Sequence, residues 1–167
     1  MKKIKLYADG LNPSDFGKDL GVDIDGYTFN PSLFKKNGAK DYLDYSKKIL
    51  EKSENKPVSL EVFADDEINM IKQAKILSRL GKNVYVKIPI TFTNKTFTTE
   101  VLKELVKEKV QLNITALFTI EQINKILPIL ENTNSILSVF AGRIFDCGIN
   151  AIEIMKNIND KVHKTTK

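Results

Sequence analysis

Val58-Ser59-Leu60-Glu61-Val62-Phe63 is followed by a segment opened by Asp65-Asp66, closed by Gly81, and followed in turn by Asn83-Val84-Tyr85-Val86-Lys87-Ile88. The flanking runs are short and rich in β-branched and aromatic residues, which favours strands. The middle segment carries Ile68, Ile71, Ala74, Ile76, Leu77 and Leu80, a spacing of three and four that puts one apolar stripe on a helix. Strand, helix and strand in about 30 residues make a βαβ unit, whose two strands lie parallel because the crossover returns the chain to the same edge.

The unit recurs in both directions. Further strands are expected at Ile4 to Asp9, Gly26 to Phe29, Gln111 to Ala116 and Ile136 to Ala141, at a period of roughly 25 to 30 residues. Helical stripes lie between them at Val101, Leu102, Leu105 and Val106, and at Ile123, Ile126, Leu127 and Leu130, with Pro128 expected to kink or tighten the last. Six strands alternating with helices specify an α/β fold with a parallel sheet. Alternation alone leaves an eight-stranded barrel and a doubly wound sheet open, although the first loop lacks the glycine-rich phosphate fingerprint of a dinucleotide fold.

The chain has 167 residues, 42% of them hydrophobic, enough for one core. The domain is read as residues 1–158, with a polar tail over 159–167. Lys and Arg outnumber Asp and Glu by 26 to 21 but are interleaved with acids, so solvated helix faces, not a nucleic-acid surface, account for the surplus. Cys147 is the sole cysteine and His163 the sole histidine. They exclude an intrachain disulfide and a metal cage, and Cys147 is read as a small buried residue near a helix start. No apolar run has bilayer length and the N-terminus lacks a signal-peptide core, so no membrane contact and a cytoplasmic location are expected.

Active sites of parallel α/β folds gather at the carboxyl ends of the strands. Each expected strand carries polar residues there: Asp9, Thr28 with Asn30, Glu61, Lys87, Asn113 with Thr115, and Ser138, with Arg143 just beyond. Lys87 is the sharpest, because lysine is seldom buried without a reason. Burial and nearby cations disfavour an ammonium and expose the free amine, the form that adds to a carbonyl to give a Schiff base. The competing reading is a lysine ion-paired to Glu61 or Asp9 for structure alone.

The stretches Ala8-Asp9-Gly10, Thr28-Phe29-Asn30-Pro31-Ser32-Leu33, Val58-Ser59-Leu60-Glu61-Val62, Val86-Lys87-Ile88-Pro89, Leu112-Asn113-Ile114-Thr115-Ala116-Leu117-Phe118 and Ser138-Val139-Phe140-Ala141-Gly142-Arg143 resemble, in order and spacing, the transaldolase family, in particular its small microbial members and the fructose-6-phosphate aldolase-like proteins. The resemblance implies a (β/α)8 TIM-barrel fold and transfer of a dihydroxyacetone unit between sugar phosphates without a cofactor. It implies Lys87 as the Schiff-base lysine and Asp9 as the acid that shuttles the hydroxyl proton. Glu61 and Thr115 would hold a catalytic water, Asn30, Asn113 and Ser138 would orient the dihydroxyacetone fragment, and Arg143 would grip phosphate. Thr28 and Phe140 belong to the same substrate-binding set. Glu61 and Phe140 favour the transferase pattern, since the aldolase-like members carry glutamine and tyrosine there; a lyase that releases dihydroxyacetone is the alternative.

The resemblance runs to about residue 158, leaving only about six βα units, an incomplete barrel with open edges. Three explanations stand: a fragment, a homo-oligomer or partner chain that completes the barrel, or a divergent protein that has lost full activity.

Overall fold

The computed structural model describes residues 4–165. Met1 to Lys3, and Thr166 and Lys167 of the expected tail, lie outside them. Among the described residues six strands form one parallel sheet: β1 (Tyr7–Asp9), β2 (Gly26–Phe29), β3 (Val58–Glu61), β4 (Val84–Pro89), β5 (Leu112–Leu117) and β6 (Ile136–Val139). Their spatial order is their chain order, with every neighbouring pair parallel. A doubly wound sheet would reverse direction at a switch point. This sheet never does, so the (β/α) barrel reading holds, with about six units and with β1 and β6 as open edges among the described residues.

The described residues form seven α-helices: α1 (Pro31–Lys36), α2 (Tyr42–Lys52), α3 (Glu67–Ser78), α4 (Thr99–Lys107), α5 (Ile120–Leu130), α6 (Ala141–Asp146) and α7 (Ala151–Thr165). Their starts are written in local side chains. Asn30 accepts from the Leu33 amide, Asp41 from Asp44 and Asp66 from Asn69, while Thr119 and Gln122 form a reciprocal capping box at α5. Pro128 stays inside α5, close to its end.

Along each strand alternate residues divide the labour. Phe29, Leu60, Val86, Ile88, Leu112 and Ile114 point at the helices and are fully buried with Ile49, Leu102, Leu105, Ile123 and Ile126. The residues between them face the other way, and that face is concave. Residues of all six strands line one cavity, whereas the outermost strands of a flat six-stranded sheet would lie about 24 Å apart. Side chains converge across strands accordingly: Asn113 Nδ2 on β5 donates to Ser59 Oγ on β3 at 2.9 Å, passing over β4.

Three expectations need correction. The segment from Asn159 is no separate tail, because α7 continues through Thr165; Ile154, Ile158 and Val162 recur every four residues, Ile158 is buried and Val162 packs on the core. Cys147 is exposed and ends α6 instead of starting a helix. The first and last strands are shorter than read, since edges pair on one side only and Ile4 and Leu6 are exposed.

Candidate active site

The register of the parallel strands assembles the site. Asp9 pairs with Thr28, Glu61 with Lys87, Lys87 with Asn113 and Pro89 with Thr115, so the polar strand ends lie side by side at the carboxyl edge. They open into a cavity of about 910 Å³ whose walls include Asp9, Thr28, Asn30, Glu61, Lys87, Thr115, Ser138, Phe140 and Arg143. Asn113 lies beneath this floor, only 4% exposed.

Lys87 is 7% exposed, flanked on its own strand by the fully buried Val86 and Ile88. Its Nζ lies 3.3 Å from Glu61 Oε2, whose side chain keeps 20% exposure. Burial pushes the Glu61 carboxyl above the usual carboxylate range; the Lys87 charge and hydrogen bond pull it back in part, and the charge of Asp9 pushes it up again. Tyr42, on α2, donates its hydroxyl to the Glu61 carbonyl at 2.8 Å and holds the end of β3. Burial first, then the Glu61 charge, keep that phenol protonated far above its ordinary range.

A second set of contacts runs across the concave floor. Ser138 Oγ donates to Asn113 Oδ1 at 2.7 Å, and Asn113 donates to Ser59, so one amide links β3, β5 and β6. Beside it the Thr115 hydroxyl is buried without a hydrogen-bond partner among the described residues. A buried hydroxyl left unpaired costs about 1–3 kcal/mol, which a polar group entering the cavity would offset.

The rim is more open. Asp9 is exposed on the edge strand, next to Gly10, whose φ of +70° turns the chain back so that its amide donates to the Thr28 carbonyl at 2.9 Å. Asn30 has its Oδ1 committed to the α1 amide of Leu33, so the donor end of its amide is what it can offer a ligand. Phe140 stands edge-on to Phe118, centroids 5.7 Å apart. Arg143, on α6, is exposed and 3.5 Å from Asp146, an exposed pair of little energetic weight that leaves the guanidinium free to take an anion.

Known proteins bear on this arrangement. The family model for transaldolase/fructose-6-phosphate aldolase matches residues 6–167. The chain belongs to this family. It is 33% identical over 157 residues to a probable transaldolase of Bartonella bacilliformis, covering 93% of this chain and 68% of that protein. Probable transaldolases of Brucella ovis (34%) and of a Thermoanaerobacter species (32%) match over the same shares of both chains. Among the described residues of this family member, no helix is long and apolar enough to cross a membrane.

Sequence reasoning passed over three residues of this candidate site. Ser59 is fully buried and carries Asn113; its place two residues before Glu61, on the same strand face, was the available signal. Tyr42 lies on a helix, and no local pattern ties it to Glu61. Ala116 lines the cavity through a change of strand register that only the folded sheet reveals.

Proposed function

We propose that this chain is a class I, Schiff-base transaldolase that moves a dihydroxyacetone unit between sugar phosphates, with Lys87 as the attacking amine. One observation carries the reading: a lysine 7% exposed, paired with a carboxylate whose proton affinity burial has raised, at the floor of a polar cavity. A purely structural ion pair would also bury the lysine, but would not need the surrounding hydroxyls, amides and carboxylates at the ends of all six strands.

In the proposed sequence, Glu61 takes a proton from Lys87, and the free amine adds to the ketone carbonyl to give a carbinolamine. Loss of water leaves a protonated imine. Asp9 removes the proton from the hydroxyl on the far side of the scissile bond; that bond breaks towards the imine, an aldehyde departs and a neutral enamine stays on Lys87. Attack of the enamine on a second aldehyde reverses these steps. Glu61 and Thr115 hold the water gained and lost, a role that would pair the Thr115 hydroxyl. Asn30 and Ser138 hold the three-carbon fragment, with Asn113 fixing Ser138 from beneath, Thr28 and Phe140 flank it, and Arg143 meets the phosphate with its planar fork.

Incubation with fructose 6-phosphate and borohydride, followed by peptide mass spectrometry, is expected to give a reduced adduct on Lys87. A folded protein that yields none there overturns the reading. Repeating the turnover with and without an aldehyde acceptor separates transfer from release of free dihydroxyacetone. The open edges at β1 and β6 are where we place contact with a second copy, which sedimentation at several concentrations would detect as reversible association.

A further inference from the structure

Six non-glycine residues among those described have positive φ: Glu54, Asn55, Lys95, Lys109, Asn132 and Ala116. The first five sit in turns and bends, whereas Ala116, at φ +59°, lies inside strand β5. The pairing with β6 explains how the strand accommodates it. Ile114 pairs with Leu137 and Leu117 with Val139, so three steps along β5 answer two along β6 and one residue is extra. This is a β-bulge, a device that re-aims side chains.

The bulge decides which side chain meets the cavity. In unbroken alternation Asn113 and Thr115 would face the concave side, Ala116 the helices, and Leu117 the concave side again. Instead Thr115 and Ala116 both line the cavity, and Leu117 is fully buried in the apolar core. An isobutyl group is thereby withdrawn from the wall beside β4 and a methyl put in its place. Glycine would hold the same left-handed backbone without strain. What alanine adds is the methyl itself.

We propose that Ala116 is a specificity-determining residue: its methyl is the wall that limits the size of a carbonyl compound reaching the Lys87 amine. The proposal rests on the reading of Lys87 as the carbonyl-binding group, but its test need not share that reading's fate. Reductive alkylation with cyanoborohydride reports on room alone. The amine and an aldehyde lose water to form an imine, and hydride plus a proton reduce it to a stable secondary amine, whether or not the protein turns over any sugar.

The experiment measures labelling of Lys87 by formaldehyde and by 2-methylpropanal in the parent protein, in Ala116→Gly and in Ala116→Asn. Both substitutions suit a positive φ, asparagine being the side chain best tolerated there after glycine. The ratio of 2-methylpropanal to formaldehyde labelling should rise in Ala116→Gly. In Ala116→Asn it should fall at least about tenfold, the factor expected of a modest steric clash. Equal ratios in all three proteins, or no formaldehyde label on Lys87 in any of them, overturn the proposal. Ratios that shift as stated while fructose 6-phosphate leaves no borohydride adduct would uphold the wall and defeat the transaldolase mechanism.

Discussion

Replacing Lys87 by methionine tests the electrostatics of the site through stability. The ammonium supplies both influences that lower the Glu61 carboxyl, its charge and its hydrogen bond; burial and Asp9, which raise it, are untouched by the change. Glu61 is left as a lone carboxylate in a poorly solvated place. Breaking a fully buried pair costs about 3–5 kcal/mol, and since the Glu61 side chain keeps 20% exposure the loss should fall at or below the lower end, about 2–3 kcal/mol near pH 8. The sign of the pH dependence follows from the raised folded-state pKa. The contribution of such a carboxyl is fully present below its unfolded value and is lost as pH climbs through the folded one. Lys87→Met moves the folded value higher still, so the variant regains stability on acidification, by at most about 1.4 kcal/mol per pH unit for one proton. The reference is the double variant Lys87→Met with Glu61→Gln, which keeps the shape and has no proton to bind there. Urea denaturation of both at about pH 5 and about pH 8 gives the comparison. The double variant should be the more stable at the alkaline end and the gap should close towards acid. Equal stability at both ends, or a gap that does not shrink, would refute the reasoning.

Asn113→Leu removes an amide that satisfies both Ser59 and Ser138 in a nearly closed space, and is expected to cost about 1–3 kcal/mol in urea denaturation and to weaken dihydroxyacetone trapping. Leu102→Ala empties a fully buried position on α4 away from the cavity; it should cost about 2–5 kcal/mol yet leave trapping at Lys87 unchanged in the folded fraction. Thr119→Ala deletes the α5 cap and its half of the capping box, with an expected loss of about 1 kcal/mol by thermal or urea denaturation.

The parts of the molecule legible in the sequence are those set by local periodicity. Apolar spacing of three and four in residues 67–78, and β-branched runs either side, give the bounds of α3, β3 and β4 to within a residue or two because burial recurs along each element. The buried face of α3 nevertheless differs from the expected stripe: Ile68 and Ile76 are exposed, while Met70, outside the stripe, is buried with Ala74 and Leu77. Polar strand ends are legible for the converse reason: a lysine between Val86 and Ile88 breaks an apolar pattern, and such exceptions mark the concave face. Ser59 escaped because a small hydroxyl in a strand is ordinary core composition, and only its distance to an amide two strands away reveals what it holds.

The bulge at Ala116 was beyond any such reading for a deeper reason. Residues 112–117 alternate well enough to pass as a plain strand, and nothing in them says whether Leu117 faces the helices or the cavity. That choice is made by β6, whose pairing skips one residue of β5, and by the closed core, which gains a fully buried leucine when it does. A sequence pattern fixes the face of a side chain only while register is unbroken. Between β5 and β6 register is what gives way, so this wall of the site is set by a feature that local periodicity does not encode.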